Sequence, residues 1–341
     1  MKNSTYLLSN QTFLDLIGSS KIFDGLYAYL FFPTSFIGFI LNLVNFFILR
    51  RIKEKTTCLY KYLKVYVINS CLINLIFSSM TLFNCIRYFP LAFSYEARII
   101  SIFLFGYVCN TLYFFGNTLD ILIAIERLAI FKKQLKRLTK HNSPYLICFC
   151  ILIICIFINI PPFLSVYNKS VHEIQSDFLN KAYINRIKII GNTSFSNAKC
   201  GRIILFISLF TRDLLFLLIE IIILMLTTYY YLQEFNRFKS RLNTLQQIRR
   251  RNKARKNLLA MVIYLSITTI ISRLITFNAF RKLLLKRNIS LTEQFVTMYS
   301  VVLKHFLNSF IFYKFNRKFK DVVLDVTKNR SIIGKSQQNV I

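Results

Sequence analysis

The chain has 341 residues, of which 55% are hydrophobic and only 17% charged. The apolar excess excludes a disordered chain, 8 Gly and 5 Pro exclude a collagen-like or linker-rich one, and 8 Cys are too sparse for a disulfide scaffold. Lys and Arg outnumber Asp and Glu by 45 to 14, a formal net charge of +31, but they fall between long apolar runs, which argues against nucleic-acid binding and for a multi-span membrane protein.

In chain order, residues 1–25 lack an apolar core, so no cleaved signal peptide is expected. The apolar runs 26–49 and 65–86 carry no charge, and 99–125 is interrupted only by Asp120. The run 145–167 is again uncharged, 203–232 carries Arg212, Asp213 and Glu220, 258–280 carries Arg273, and 295–312 carries Lys304 and His305. Each is close to the ~20 residues that cross a bilayer, and lipid leaves the backbone no partner but its own helix. The expected fold is an all-α membrane protein, a seven-transmembrane helix bundle over 26–313, preceded by an extracellular segment 1–25. A cytoplasmic tail, 314–341, follows. There Phe315, Phe319, Val322, Val323 and Val326 recur at helical spacing beside Arg317, Lys318 and Lys320, the pattern of an amphipathic eighth helix on the inner leaflet.

Direction follows from charge. With the N-terminus outside, the inner segments hold twice as many Lys and Arg as the outer ones, as the positive-inside rule requires. Glycosylation sequons at Asn3, Asn10, Asn168, Asn192 and Asn288 fall on the same outer side; Asn329 is a chance match on the inner side. The basic run 249–256 precedes the sixth span and is read as an inner extension of that helix or a solvated charge run.

Four short motifs lie in order on these helices. The first span contains Gly38-Phe-Ile-Leu-Asn42-Leu-Val and the second Asn69-Ser-Cys-Leu-Ile-Asn74. The third ends Glu126-Arg127-Leu128 and the seventh Asn308-Ser309-Phe-Ile-Phe312-Tyr313. Together they resemble the rhodopsin-like G-protein-coupled receptors, in a divergent invertebrate form distantly similar to neuropeptide receptors. The resemblance implies a plasma-membrane receptor, not an enzyme, with no cofactor. Its partners would be an extracellular ligand, peptide or small molecule, and a heterotrimeric G protein. Coupling would use Glu126, Arg127, Asn308, Phe312 and Tyr313, the Arg fork turning from its acid to the G protein. The chain departs from the family in having no Trp, no Pro in the fifth span and Ser272-Arg273-Leu274 where the sixth-span motif would stand.

Other expectations concern charges in hydrocarbon, which need partners. Asn74 stands where the family often carries an acid. Asp120, two turns before Arg127, is read as the mid-membrane carboxylate, near Asn42, Asn74 and Asn308 and paired with Lys304. Asp213 and Glu220 are seven residues apart on one face, and an Asp213–Arg273 clamp between the fifth and sixth helices would tune basal activity. A ligand pocket is placed by depth at Cys109, Tyr113, Asp213, Arg273 and Phe277. The family disulfide has its best available candidates in Cys85 and Cys200. Two other readings remain open: a seven-span transporter or ion channel, favoured by the buried charges, and a non-signalling receptor relic.

Overall fold

The structure is a computed structural model that describes residues 25–51, 58–84, 99–100, 102–131, 143–164, 166–168, 190–192, 198–239, 260–261, 263–278 and 291–315. The described residues are almost entirely helical. Helix α1 is Tyr27–Arg51 and α2 is Cys58–Asn84. Helix α3 starts as a π-helix, Ile102–Cys109, and continues as Asn110–Phe131; α4 is Pro144–Leu164. Helix α5 runs through Lys199–Leu209, a π-helical Phe210–Leu215 and Phe216–Lys239. Helix α6 is Ile263–Asn278 and α7 is Leu291–Phe315. Five of them, α1, α2, α3, α4 and α7, contain stretches long and apolar enough to cross a membrane, and α6 is shorter but apolar.

The burial pattern is inverted relative to a protein in water. In α1 the buried positions Ser35, Gly38, Asn42 and Asn45 recur every three or four residues, while Phe36, Ile37, Val44 and Phe47 are exposed. In α4, Leu146, Phe149, Ile154 and Phe157 likewise face outward. A polar stripe inside and an apolar surface outside is the arrangement lipid demands, because unpaired polar groups are costly in hydrocarbon. Hydroxyls obey the same constraint by bonding back to their own helix: Ser35 Oγ donates to the Phe31 carbonyl at 2.9 Å, Ser78 Oγ to Asn74 at 2.7 Å and Thr227 Oγ1 to Ile223 at 2.7 Å.

Helix α1 packs on α2 and α7, α2 on α3, and α3 on both α4 and α5. Two small residues allow close approach. A Cβ at Gly38 would stand 2.9 Å from Asn74 Nδ2, and one at Gly116 would stand 2.7 Å from Asn69 Nδ2. One apolar cluster gathers Tyr27, Phe31, Phe77, Tyr113 and Phe295; another gathers Tyr66, Phe114, Leu119, Ile123 and Phe312.

Two details differ from the sequence expectation. The fourth span was expected to run to residue 167, but α4 ends at Leu164, just past Pro161 and Pro162. Strand β1, Val166–Asn168, then pairs antiparallel with β2, Ile190–Asn192, so the bundle is not purely α. Proline explains the stop, since each one deletes a helical N–H. The N–H missing at Pro162 would have bonded the Ile158 carbonyl; Ser208 Oγ of α5 donates to that oxygen instead, at 2.7 Å, and ties α4 to α5. The amphipathic stretch expected from Phe319 onward and the basic run 249–256 lie outside the described residues.

Candidate functional site

Charged side chains converge from α3, α5, α6 and α7 in the middle of the bundle. Lys304 of α7 is 2% exposed. Its Nζ lies 2.7 Å from Asp120 Oδ2 of α3 and donates to Asn117 Oδ1 at 2.9 Å. It also sits over the Tyr113 ring, 5.9 Å from the centroid. Asp120 Oδ2 accepts a further bond from Thr269 Oγ1 of α6 at 3.4 Å. The sequence expectation that drew Asp120 and Lys304 together thus has a counterpart in the geometry.

Arg273 of α6 is fully buried. Its Nη2 donates to the Asn117 backbone carbonyl at 3.0 Å, and its Nη1 lies 3.3 Å from Glu220 Oε2 of α5. The second contact is an ion pair without hydrogen-bond alignment. The acid expected here was Asp213. Around Asp213 the helix is wound as a π-helix, Phe210–Leu215. The Asp213 side chain lies outside the described residues.

Asn117, which the sequence reading did not single out, receives both cations: its side-chain oxygen takes Lys304 and its carbonyl takes Arg273. The available signal was its position three residues before Asp120, on the same face. Lys304 and Arg273 each have an acid within ion-pair distance, the condition under which such charges persist in a low-dielectric interior.

A second, uncharged polar strip joins α1, α2 and α7. Asn42 Nδ2 donates to the Gly38 carbonyl at 2.8 Å and to the His305 carbonyl at 3.3 Å, while Ser309 Oγ donates to Asn42 Oδ1 at 3.2 Å. Ser70 Oγ and His305 Nδ1 are 3.0 Å apart, and Asn308 Nδ2 donates to the Tyr66 hydroxyl. Asn74 is fully buried against Gly38, and neither atom of its amide has a hydrogen-bond partner among the described residues. Asn42 and Asn308 therefore belong to this strip, and Asp120 and Lys304 to the charged joint beside it.

The remaining expected positions are scattered. Glu126 is half-buried near the end of α3, and the Arg127 side chain lies outside the described residues. Phe312 is buried, with its ring edge-on to Tyr66 at 6.5 Å, and Tyr313 is exposed. Of the pocket residues, Cys109 and Tyr113 are buried and Phe277 is half-buried. The Tyr113 hydroxyl meets Thr276 Oγ1 at 3.4 Å, so Tyr113 adjoins the charged joint. Cys200 is an exposed free thiol in the first turn of α5, and the bridge expected between it and Cys85 is not formed; Cys85 itself lies outside the described residues. Asn168 and Asn192 fall in β1 and β2, and Asn3, Asn10 and Asn288 lie outside the described residues. Among the described residues no group of three His, Cys, Asp or Glu side chains is placed to hold a metal ion.

The chain matches no protein-family model and no curated protein.

Proposed function

We propose that this chain is a seven-transmembrane receptor of the rhodopsin-like kind, in the plasma membrane with its N-terminus outside. It binds an extracellular ligand, with a peptide favoured, and activates a heterotrimeric G protein through the inner end of α3 at Glu126 and Arg127. The ligand acts by binding one state of the bundle better than the other. The observation that carries this reading is the meeting of three motif regions in one buried strip. Asn42 of α1 is bonded to α7 at His305 and Ser309, and Asn308 of α7 to Tyr66, one turn before the α2 motif. Residues that on sequence grounds form separate motifs are neighbours in space.

A second reading, a seven-span transporter or channel, draws on the charges of Asp120, Arg212, Glu220, Arg273 and Lys304 within the bundle. The two part company in one experiment. Cells carrying a promiscuous G-protein reporter are exposed to a synthetic neuropeptide library, and membrane current is recorded in parallel. A peptide response lost with Arg127→Ala supports the receptor; ligand-evoked current that persists without G protein supports the channel. An N-terminal epitope tag reachable only after permeabilisation contradicts the receptor orientation.

A further inference from the structure

Helices α4 and α6 bring different loads into the bilayer. Helix α4 carries no charge and reaches a mean hydropathy of 2.7. Helix α6 carries Ser266, Thr268, Thr269, Ser272, Arg273 and Thr276 within Ile263–Asn278. Its hydroxyls find partners without a neighbouring helix: Thr268 Oγ1 donates to the Leu265 carbonyl at 2.9 Å and Thr276 Oγ1 to the Ser272 carbonyl at 2.8 Å. The Arg273 guanidinium has no such outlet, because it carries more N–H donors than its own helix has free carbonyls to take. One Arg at mid-helix offsets about six Ile, Leu or Phe residues on the scale of insertion free energies. Nor is the nearer membrane surface an outlet. Helical side chains lean toward the N-terminus of their helix, so from its place near the C-terminal end of α6 the guanidinium leans back toward the middle of the bilayer.

In the two ion pairs the acid lies on the helix that is made first. Asp120 of α3 precedes Lys304 of α7, and Glu220 of α5 precedes Arg273 of α6. The Asn117 carbonyl that takes Arg273 Nη2 at 3.0 Å is also on an earlier helix. We infer that α6 is a conditional span: it enters the bilayer against α5, and Glu220 is the group that draws it in. That carboxylate is buried midway along α5, with Arg273 Nη1 at 3.3 Å. An acid already held in hydrocarbon lowers the cost of bringing in a cation, and the cation in turn relieves the acid. Helix α5 can enter first, because Ile221, Ile222, Ile223 and Leu224 follow Glu220 directly and Phe216, Leu217, Leu218 and Ile219 precede it. This order of insertion holds whether the bundle signals or transports.

The test translates the full-length chain into sealed microsomes with one protease tag in the segment 240–257 and a second in 281–290. Helix α6 spans when protease reaches one tag and not the other, whichever end of the chain is outside; the receptor orientation is read separately, from which of the two tags is protected. Glu220→Leu should raise the fraction of chains with both tags on one side by about threefold or more, while Glu220→Asp holds it at the natural level. Arg273→Leu should also hold it, although it breaks the same ion pair, because an apolar α6 needs no partner to enter. Glu220→Leu/Arg273→Leu should return the fraction to the natural level. A mere loss of stability would instead make Arg273→Leu behave like Glu220→Leu. The inference is overturned if Glu220→Leu leaves the fraction unchanged, if Arg273→Leu raises it as much, or if the double variant stays high.

Discussion

Two flanks of α7 hold their neighbours by different chemistry. On one, His305, Asn308 and Ser309 meet α1 and α2 through short amides, hydroxyls and carbonyls. On the other, Lys304 reaches across to α3 as a charge. Glycine lets the backbones of α1, α2 and α3 come close, so contacts there are short-range and fixed in register. A long cation keeps its attraction through sideways displacement, because Coulomb energy falls slowly with distance where the dielectric is low. The uncharged strip depends on close, register-specific contact, and the charged flank on a buried ion pair.

Perturbing the buried charges is expected to do the most damage, and most of all at the α5–α6 pair. Arg273→Met leaves Glu220 a buried acid without its cation and should lower stability by about 3–5 kcal/mol, read as a drop in melting temperature of the nanodisc-embedded protein. Glu220→Leu/Arg273→Met should recover most of that loss. A double variant no better than the single one breaks the assignment of Glu220 as the partner.

The uncharged flank should respond to volume rather than charge. Gly116→Ala pushes on Asn69 Nδ2, which donates to the Leu112 carbonyl at 3.0 Å, and should cost about 1–3 kcal/mol. Gly38→Ala pushes on Asn74, whose amide has no bond of this kind to lose, and should cost less. Equal losses in the same melting assay would remove the distinction between a bonded and an unbonded neighbour.

The smallest effect belongs to the α4–α5 tie. Ser208→Ala should cost about 1 kcal/mol, the net worth of a hydrogen bond. In a Pro162→Ala background, where a backbone N–H is again available to Ile158, the same substitution should be close to neutral. A cost that persists there would mean Ser208 acts on something other than that carbonyl.

The sequence made much of this legible because lipid simplifies the code. Uncharged runs mark helices, and an isolated charge within one marks a demand for a partner; Asp120 and Lys304 stand out for that reason. That Glu220 would stand beside Arg273 was only half-legible, since Asp213 and Glu220 lie on one face in an ideal helix and the sequence does not rank them. Asn117 gave one faint signal, its place three residues before Asp120 on the same face, but an amide among apolar residues does not announce that two cations from other helices will use it. The Ser208–Ile158 contact was half-visible, because Pro162 announces a freed carbonyl but nothing one-dimensional says which helix supplies the donor.

The most direct test of the central claim, that a buried ion pair joins α3 to α7, is a double-mutant cycle at Asp120 and Lys304 read by melting temperature and surface expression. Asp120→Leu and Lys304→Met should each be more damaging alone than together, with a coupling of about 1–3 kcal/mol between them. Losses that simply add, leaving the double variant worse than either single one, would contradict the pair.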